Sequence, residues 1–302
     1  MSNIDVLLGW CKPNNRLRYG VGPNGLSSNV LLRKPLHEKP MIRYLEKIGG
    51  NTMWFLEDLG RMGSFLVLGL GGVFKRPFRF SAMIRQVRLI GANSFWVIFF
   101  VAGFTGMVLG LQGYYTLRKF GAEGALGSAV SLSLLRELGP VLTALMVTGR
   151  AGSAMCAEIG IMRNTEQLDA LECMAIDPFR YLITPKFLAT LISVPILTIY
   201  FNVVGIFGGY LAGCGLLGVN PGAYWAGMEQ SVVNQDINMG IIKSFVFALV
   251  IVWVCAGRGY FVHVIRGAGF GAEGVSKVTT QAVVLSSVAI LIWDYLLTAI
   301  LL

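Results

Sequence analysis

Charge is what this 302-residue sequence has least of: Asp, Glu, Lys and Arg make up 14% of it, against 55% hydrophobic residues. A water-soluble globule carries about a quarter charged residues, so the composition excludes one and puts the chain in a bilayer. Histidine occurs twice, as His37 and His263, and neither stands in triad or metal-ligand spacing with other candidate groups. The cysteines Cys11, Cys156, Cys173, Cys214 and Cys255 are scattered without a CxxC pair, which excludes a zinc site or disulfide framework and leaves small apolar fillers. No GxxxxGK[ST] run is present, so the chain cannot cradle ATP phosphates on a P-loop. If ATP drives its work, another subunit binds ATP and Mg and hydrolyses it. Gly269, Gly271 and Gly274 match GxGxxG only formally, because they follow a membrane helix and not a strand.

The net charge of +9 does not point to nucleic acid, because the basic residues sit at the ends of apolar runs and form no basic domain. Residues 1–40 are polar, rich in Asn, Gly and Pro, and lack the apolar core of a signal peptide. They read as a disordered cytoplasmic tail, or as the product of a start codon placed too far upstream. Apolar residues recur at helical spacing from Met41 to Leu59 among Arg43, Glu46, Lys47, Glu57 and Asp58, and the run Met62 to Phe74 is too short to cross. Residues 41–75 are therefore expected to lie in the interface plane as an amphipathic elbow helix.

Five later runs are long enough to span: about 94–117, 128–149, 187–218, 239–259 and 278–302. The third contains Pro195 and the glycines Gly205, Gly209 and Gly213, and is expected to be kinked, tilted or in two pieces. Fourteen Lys and Arg precede and include Arg88, four lie in the 150–186 connection and three in the 258–277 connection, against only Arg118 and Lys119 on the other side. Basic residues are retained in the cytoplasm, so the N-terminus is expected inside and the C-terminus outside. Gly106 and Gly110, with the glycine ladder of the third span, are small-xxx-small patterns that bring helices close within one chain or across a homodimer.

Charges inside the spans are costly and mark candidate functional positions: Arg136, Glu137, Lys243 and Asp294. Mutual pairing is possible, since Arg136, Lys243 and Asp294 all fall in the outer half of their spans. Arg136 and Glu137 are neighbours and point about 100° apart, so they cannot share one partner direction. A lipid-phosphate site and a structural ion-pair network are both open. In the loop after the second span, Ile161, Thr165, Leu168, Leu171, Cys173 and Ala175 could line one side of a helix over 158–177. Glu158, Glu166, Asp169, Glu172 and Asp177 make it acidic, which suits docking into a partner's groove, the alternative being a solvated connector.

GMVLGLQGY (Gly106 to Tyr114), SLLRELGPVLTAL (Ser133 to Leu145), GRAGSAMCAEIGIMRNTEQL (Gly149 to Leu168) and DYLLTA (Asp294 to Ala299) resemble the MlaE permease family, in a match running from about residue 41 to the end. The resemblance implies an all-α integral membrane permease of a bacterial inner membrane, with an elbow helix plus five transmembrane helices. It implies a homodimer, ABC ATPase subunits beneath, a STAS-domain protein, a periplasmic MCE-domain hexamer and phospholipid as cargo, with no enzymatic activity, cofactor or metal in this chain. The family's lipid cavity carries over to Leu109, Thr116, Leu117, Arg136, Glu137 and Asp294, and its ATPase-coupling segment to Glu158, Arg163, Glu166, Asp169 and Glu172. Phe120 stands where a tyrosine can occur. The competing class is a secondary transporter or channel for another lipophilic substrate; five spans without a visible inverted repeat weigh against it.

Overall fold

The computed structural model describes residues 40–73, 80–265 and 271–301, and every regular element among them is helical. The expected tail, His37, Cys11 and Gly269 lie outside the described residues. In chain order the helices are α1 (Pro40–Val73), α2 (Phe80–Arg118), α3 (Glu123–Asn164), α4 (Gln167–Cys173), α5 (Phe179–Leu216), α6 (Pro221–Ser231), α7 (Asn234–Tyr260) and α8 (Gly271–Leu301). Five of them, α2, α3, α5, α7 and α8, are long and apolar enough to cross a membrane.

Each of these five begins earlier or ends later than most of the boundaries of its apolar run. α2 already starts at Phe80 and continues through Arg85 and Arg88, and α3 continues through Arg150 and Glu158 to Asn164. Hydropathy marks where the hydrocarbon ends, whereas a helix needs only its backbone pairing, which charged residues with long stems do not interrupt. The third run is one helix. It opens on a π-helical segment at Phe179–Ile183, Pro185 stands where that segment passes into regular α-helix, Pro195 is accommodated in the interior, and the helix closes on a second π-helical segment at Leu211–Leu216.

The glycine patterns are used inside the chain, between α2 and α5. A Cβ on Gly106 would strike the Gly205 carbonyl, one on Gly110 would lie 2.8 Å from the Gly209 oxygen, and one on Gly208 would strike the Gly103 carbonyl. These obstacles are backbone atoms of a packed neighbour and cannot rotate away. Gly213 instead makes room for Leu126, whose Cδ2 would be 2.6 Å from an added Cβ. Of the two readings of these glycines, packing within one chain is the one observed.

Residues up to Thr52, the first turns of α1, form a unit of their own, and Met53 to Leu302 form the second. Within the second, α1 is firmly packed. Phe65 is fully buried with its ring 5.4 Å from Phe179 and 5.8 Å from Tyr260, Trp253 Nε1 donates to the Met62 carbonyl at 2.7 Å, and Asp58 pairs with Arg258 at 3.0 Å. α5 and α7 are the most enclosed helices, while α2 and α8 keep broad apolar faces open, among them Trp96, Phe104, Val288, Leu291 and Tyr295.

The expected single helix over 158–177 does not form. α3 runs to Asn164, Glu166 takes a left-handed backbone (φ 56°), α4 covers only Gln167–Cys173, and Ala175 is again left-handed (φ 58°). Consequently Ile161, Thr165, Cys173 and Ala175 do not share a buried stripe with Leu168; of the six, Leu168 alone is fully buried, and Ile161, Thr165, Cys173 and Ala175 are exposed. The sequence periodicity continued across a reversal of the backbone that it could not register.

Candidate functional site

The polar site grows out of one break in α3. Pro140 has no N–H to give to the carbonyl of Arg136, and the helix widens into a π turn over Leu134–Leu138 just before it. That carbonyl is taken instead by Lys243 of α7, whose Nζ donates to it at 3.0 Å. Gly240, one turn earlier on α7, permits the approach: a Cβ there would sit 2.6 Å from the Leu135 carbonyl.

Lys243 is fully buried and is the node of a network across α3, α7 and α8. Its ammonium has three N–H donors. Besides the Arg136 carbonyl they reach Glu137 Oε2 at 2.7 Å and Thr298 Oγ1 at 2.7 Å. Asp294 Oδ1, 2.9 Å from the same nitrogen, is thus held by charge and not by a directed hydrogen bond. Thr298 accepts from Lys243 and has one proton to give, to Glu137 Oε1 at 3.1 Å or to the Asp294 carbonyl at 2.8 Å.

Arg136 points elsewhere, as the helical spacing requires. Its Nε donates to Asp236 Oδ1 at 2.7 Å, while its two terminal nitrogens make no hydrogen bond among the described residues and its side chain is 38% exposed. Asp236 is almost fully buried and does double service, since its other oxygen accepts the Val233 N–H at 3.2 Å at the start of α7. The sequence reading missed it because it precedes the apolar run; the available signal was an acidic residue in the first turn of a helix, where carboxylates are favoured.

Of the six residues expected to meet lipid, Glu137 and Asp294 come together around Lys243, and Arg136 joins them only through its carbonyl, its side chain turning to Asp236. Leu109 and Leu117 are half-buried against the core and Thr116 is exposed, bonded to the Gln112 carbonyl at 2.9 Å; no hydrogen bond or ion pair ties Thr116 to the network.

The residues expected to couple to an ATPase fall into two groups. Glu158 belongs to α3 and pairs at 2.6 Å with Lys186, a fully buried lysine that the sequence reading had counted only as a loop cation. Arg163, near the end of α3, ties α4 to the end of α7: Nη1 meets Asp169 at 2.7 Å, Nε donates to His263 Nδ1 at 3.3 Å, and its guanidinium lies 5.4 Å from the Tyr260 ring centre. Burial first, and Arg163 next, hold the His263 imidazole below its ordinary pKa, which keeps Nδ1 able to accept. Glu166, just before α4, and Glu172, in its last turn, are exposed. Among the described residues no group of His, Cys, Asp and Glu could hold a metal ion.

The family model of the permease MlaE matches residues 83–300. The intermembrane phospholipid transport system permease protein MlaE of Haemophilus influenzae is 43% identical over 261 residues, 86% of this chain and 98% of that protein. A probable ABC transporter permease protein of Rickettsia bellii is 38% identical over 258 residues, covering 85% and 97% of the two chains. The chloroplastic protein TRIGALACTOSYLDIACYLGLYCEROL 1 of Arabidopsis thaliana is 34% identical over 196 residues, 65% of this chain and 54% of the plant protein. A helical chain with five crossing-length helices, matched along most of its length in this way, belongs to the MlaE permease family.

Proposed function

We propose that this chain is the transmembrane permease of an ABC transporter that moves phospholipid between the inner and outer membranes of a bacterium. The observation that carries the reading is Arg136, a partly exposed guanidinium with both terminal nitrogens unbonded among the described residues, set beside the buried Lys243 network. A guanidinium fork matches two phosphate oxygens, and an arginine fixed through Nε by Asp236 is pre-oriented to offer its outer edge. Glu137 and Asp294 hold Lys243, so the cation that binds cargo and the cation that binds the helices together are different residues. Leu109 and Leu117 would contact acyl chains, with Thr116 at the rim.

In this reading the chain acts as a homodimer, with the open apolar faces of α2 and α8 available for the contact and for lipid. ATP and Mg are bound by ATPase subunits that dock at α4 through Glu166, Asp169 and Glu172, with Arg163 and the Glu158–Lys186 pair fixing the segment; a STAS-domain protein sits with the ATPase and an MCE-domain hexamer faces the outer end. The N-terminus is cytoplasmic, so a cysteine placed at Gly124 should react with an impermeant maleimide from the periplasm and one at Asn164 should not. Labelling at residue 164 in intact cells would reverse the orientation.

The test of the cargo reading is ATP-dependent transfer of labelled phospholipid between donor and acceptor membranes by the reconstituted complex. Arg136→Ala should reduce transfer by about tenfold or more, with Arg136→Lys intermediate, because a point charge replaces a planar fork. Full transfer by Arg136→Ala in an intact complex would refute the phosphate-binding role.

A further inference from the structure

α4 is seven residues long and lies between two left-handed residues that are not glycine, Glu166 (φ 56°) and Ala175 (φ 58°). That backbone is unfavourable for a residue with a Cβ, so contacts hold the segment against a local preference for other conformations. Leu168 supplies one by its full burial, and Asp169 supplies another by taking Arg163 Nη1 at 2.7 Å. Arg163 is in turn aimed from behind. Its guanidinium lies over the Tyr260 ring at the end of α7, and its Nε donates at 3.3 Å to Nδ1 of His263 just beyond.

The bond to His263 has a chemical condition. Nδ1 accepts only while it carries no proton, because a protonated imidazole has an N–H on both nitrogens and would face Arg163 with a second donor and a second positive charge. The groups acting on the ring come from four helices: Arg163 of α3 and Arg61 of α1 oppose a second proton, whereas Asp169 of α4 and the Tyr260 carbonyl of α7 favour one. Burial opposes it most of all, and the opposition prevails. Folding thus favours the neutral ring, and the bond to Arg163 is present at neutral pH and lost as pH falls below the ordinary histidine value of about 6.5. Asn164, the next residue, donates to the Gly271 carbonyl at 3.1 Å and keeps the end of α3 on α8 in either state, so the loosening is confined to α4.

We propose that His263 is a pH switch for α4: a proton on Nδ1 withdraws the acceptor that aims Arg163, and Asp169 and α4 come loose together. Its consequence for transport rests on the reading of α4 as the cytoplasmic segment where the ATPase docks. A loosened α4 grips the ATPase less well, so transport slows as the cytoplasm acidifies.

A nitroxide spin label on Cys173 reads the mobility of α4 directly. That thiol is exposed at the last residue of α4, Cys156 and Cys255 are buried, and Cys11→Ala and Cys214→Ala remove the others. In the full chain the mobile fraction of the label should rise about threefold between about pH 7 and pH 5. His263→Asn, which keeps an acceptor and cannot titrate, should hold the label at its neutral-pH mobility throughout. His263→Lys, charged at both ends of the range, should leave it mobile at neutral pH. An unchanging label in the parent chain, an equal rise in His263→Asn, or an immobile label in His263→Lys would each overturn the switch. In the reconstituted complex, ATP-dependent transfer of labelled phospholipid should fall over the same range in the parent and not in His263→Asn. A label that responds to pH while transfer falls equally in both would overturn the effect on transport and with it the docking of the ATPase at α4, whereas a label that never responds would leave that docking untouched.

Discussion

Lys243 and Lys186 both bury their ammonium groups completely, yet their surroundings differ in kind. Lys243 sits between Glu137 and Asp294, at 2.7 and 2.9 Å, and also holds a carbonyl and a hydroxyl on two other helices. Lys186 has one carboxylate, Glu158 at 2.6 Å, and the Glu158 side chain is 47% exposed. Glu137 is open to water almost as far as Glu158, at 40%, so the difference lies in Asp294, 19% exposed, and in the repulsion between two carboxylates gathered around one missing cation. The comparison teaches that burial of the cation alone does not set its importance. What decides is where its counter-charges would be left.

The largest effect is therefore expected for Lys243→Met, which should cost about 3–5 kcal/mol in thermal unfolding. Adding Glu137→Gln and Asp294→Asn to that variant should recover most of the loss, because the stranded charges go with the cation. Lys186→Met, of similar volume and with a solvated partner, should cost about 1 kcal/mol or less. Equal losses for the two lysine variants would break the contrast. Failure of the neutral triple variant to recover would show that the network is held by packing around Lys243 and not by charge.

Much of this architecture was legible in the sequence because bilayer burial writes long apolar runs, and five of them gave the five long helices. The intramembrane charges Arg136, Glu137, Lys243 and Asp294 also announced themselves, since little else polar surrounds them. Their pairing was not legible. Which carboxylate Lys243 holds depends on the π turn before Pro140 and on the bare surface of Gly240, and which one Arg136 holds depends on Asp236, about a hundred residues away and outside any apolar run. The break at Glu166 was hidden for the opposite reason: a left-handed glutamate leaves no periodicity signal, and the acidic pattern on both sides of it looked continuous.

The smallest effect belongs to the cluster at the far end of α7, where the contrast with Lys243 is sharpest because His263 is only partly enclosed and water screens part of its charge. Its pKa is held below the ordinary value by burial and by Arg163, so folding favours the neutral ring. The stability it contributes is present above the unfolded value of about 6.5 and is lost as pH falls through the depressed folded value. Protonation also places a proton where Arg163 Nε donates, setting two cations against each other with Asp169 on the other side of the arginine. His263→Asn keeps an acceptor for Arg163 but cannot titrate, so its unfolding temperature should fall less than that of the parent chain between about pH 7 and pH 5, by a degree or so. Identical pH slopes for the two chains would show that Arg163 is positioned by Asp169 and Tyr260 alone, and that α4 is anchored without the histidine.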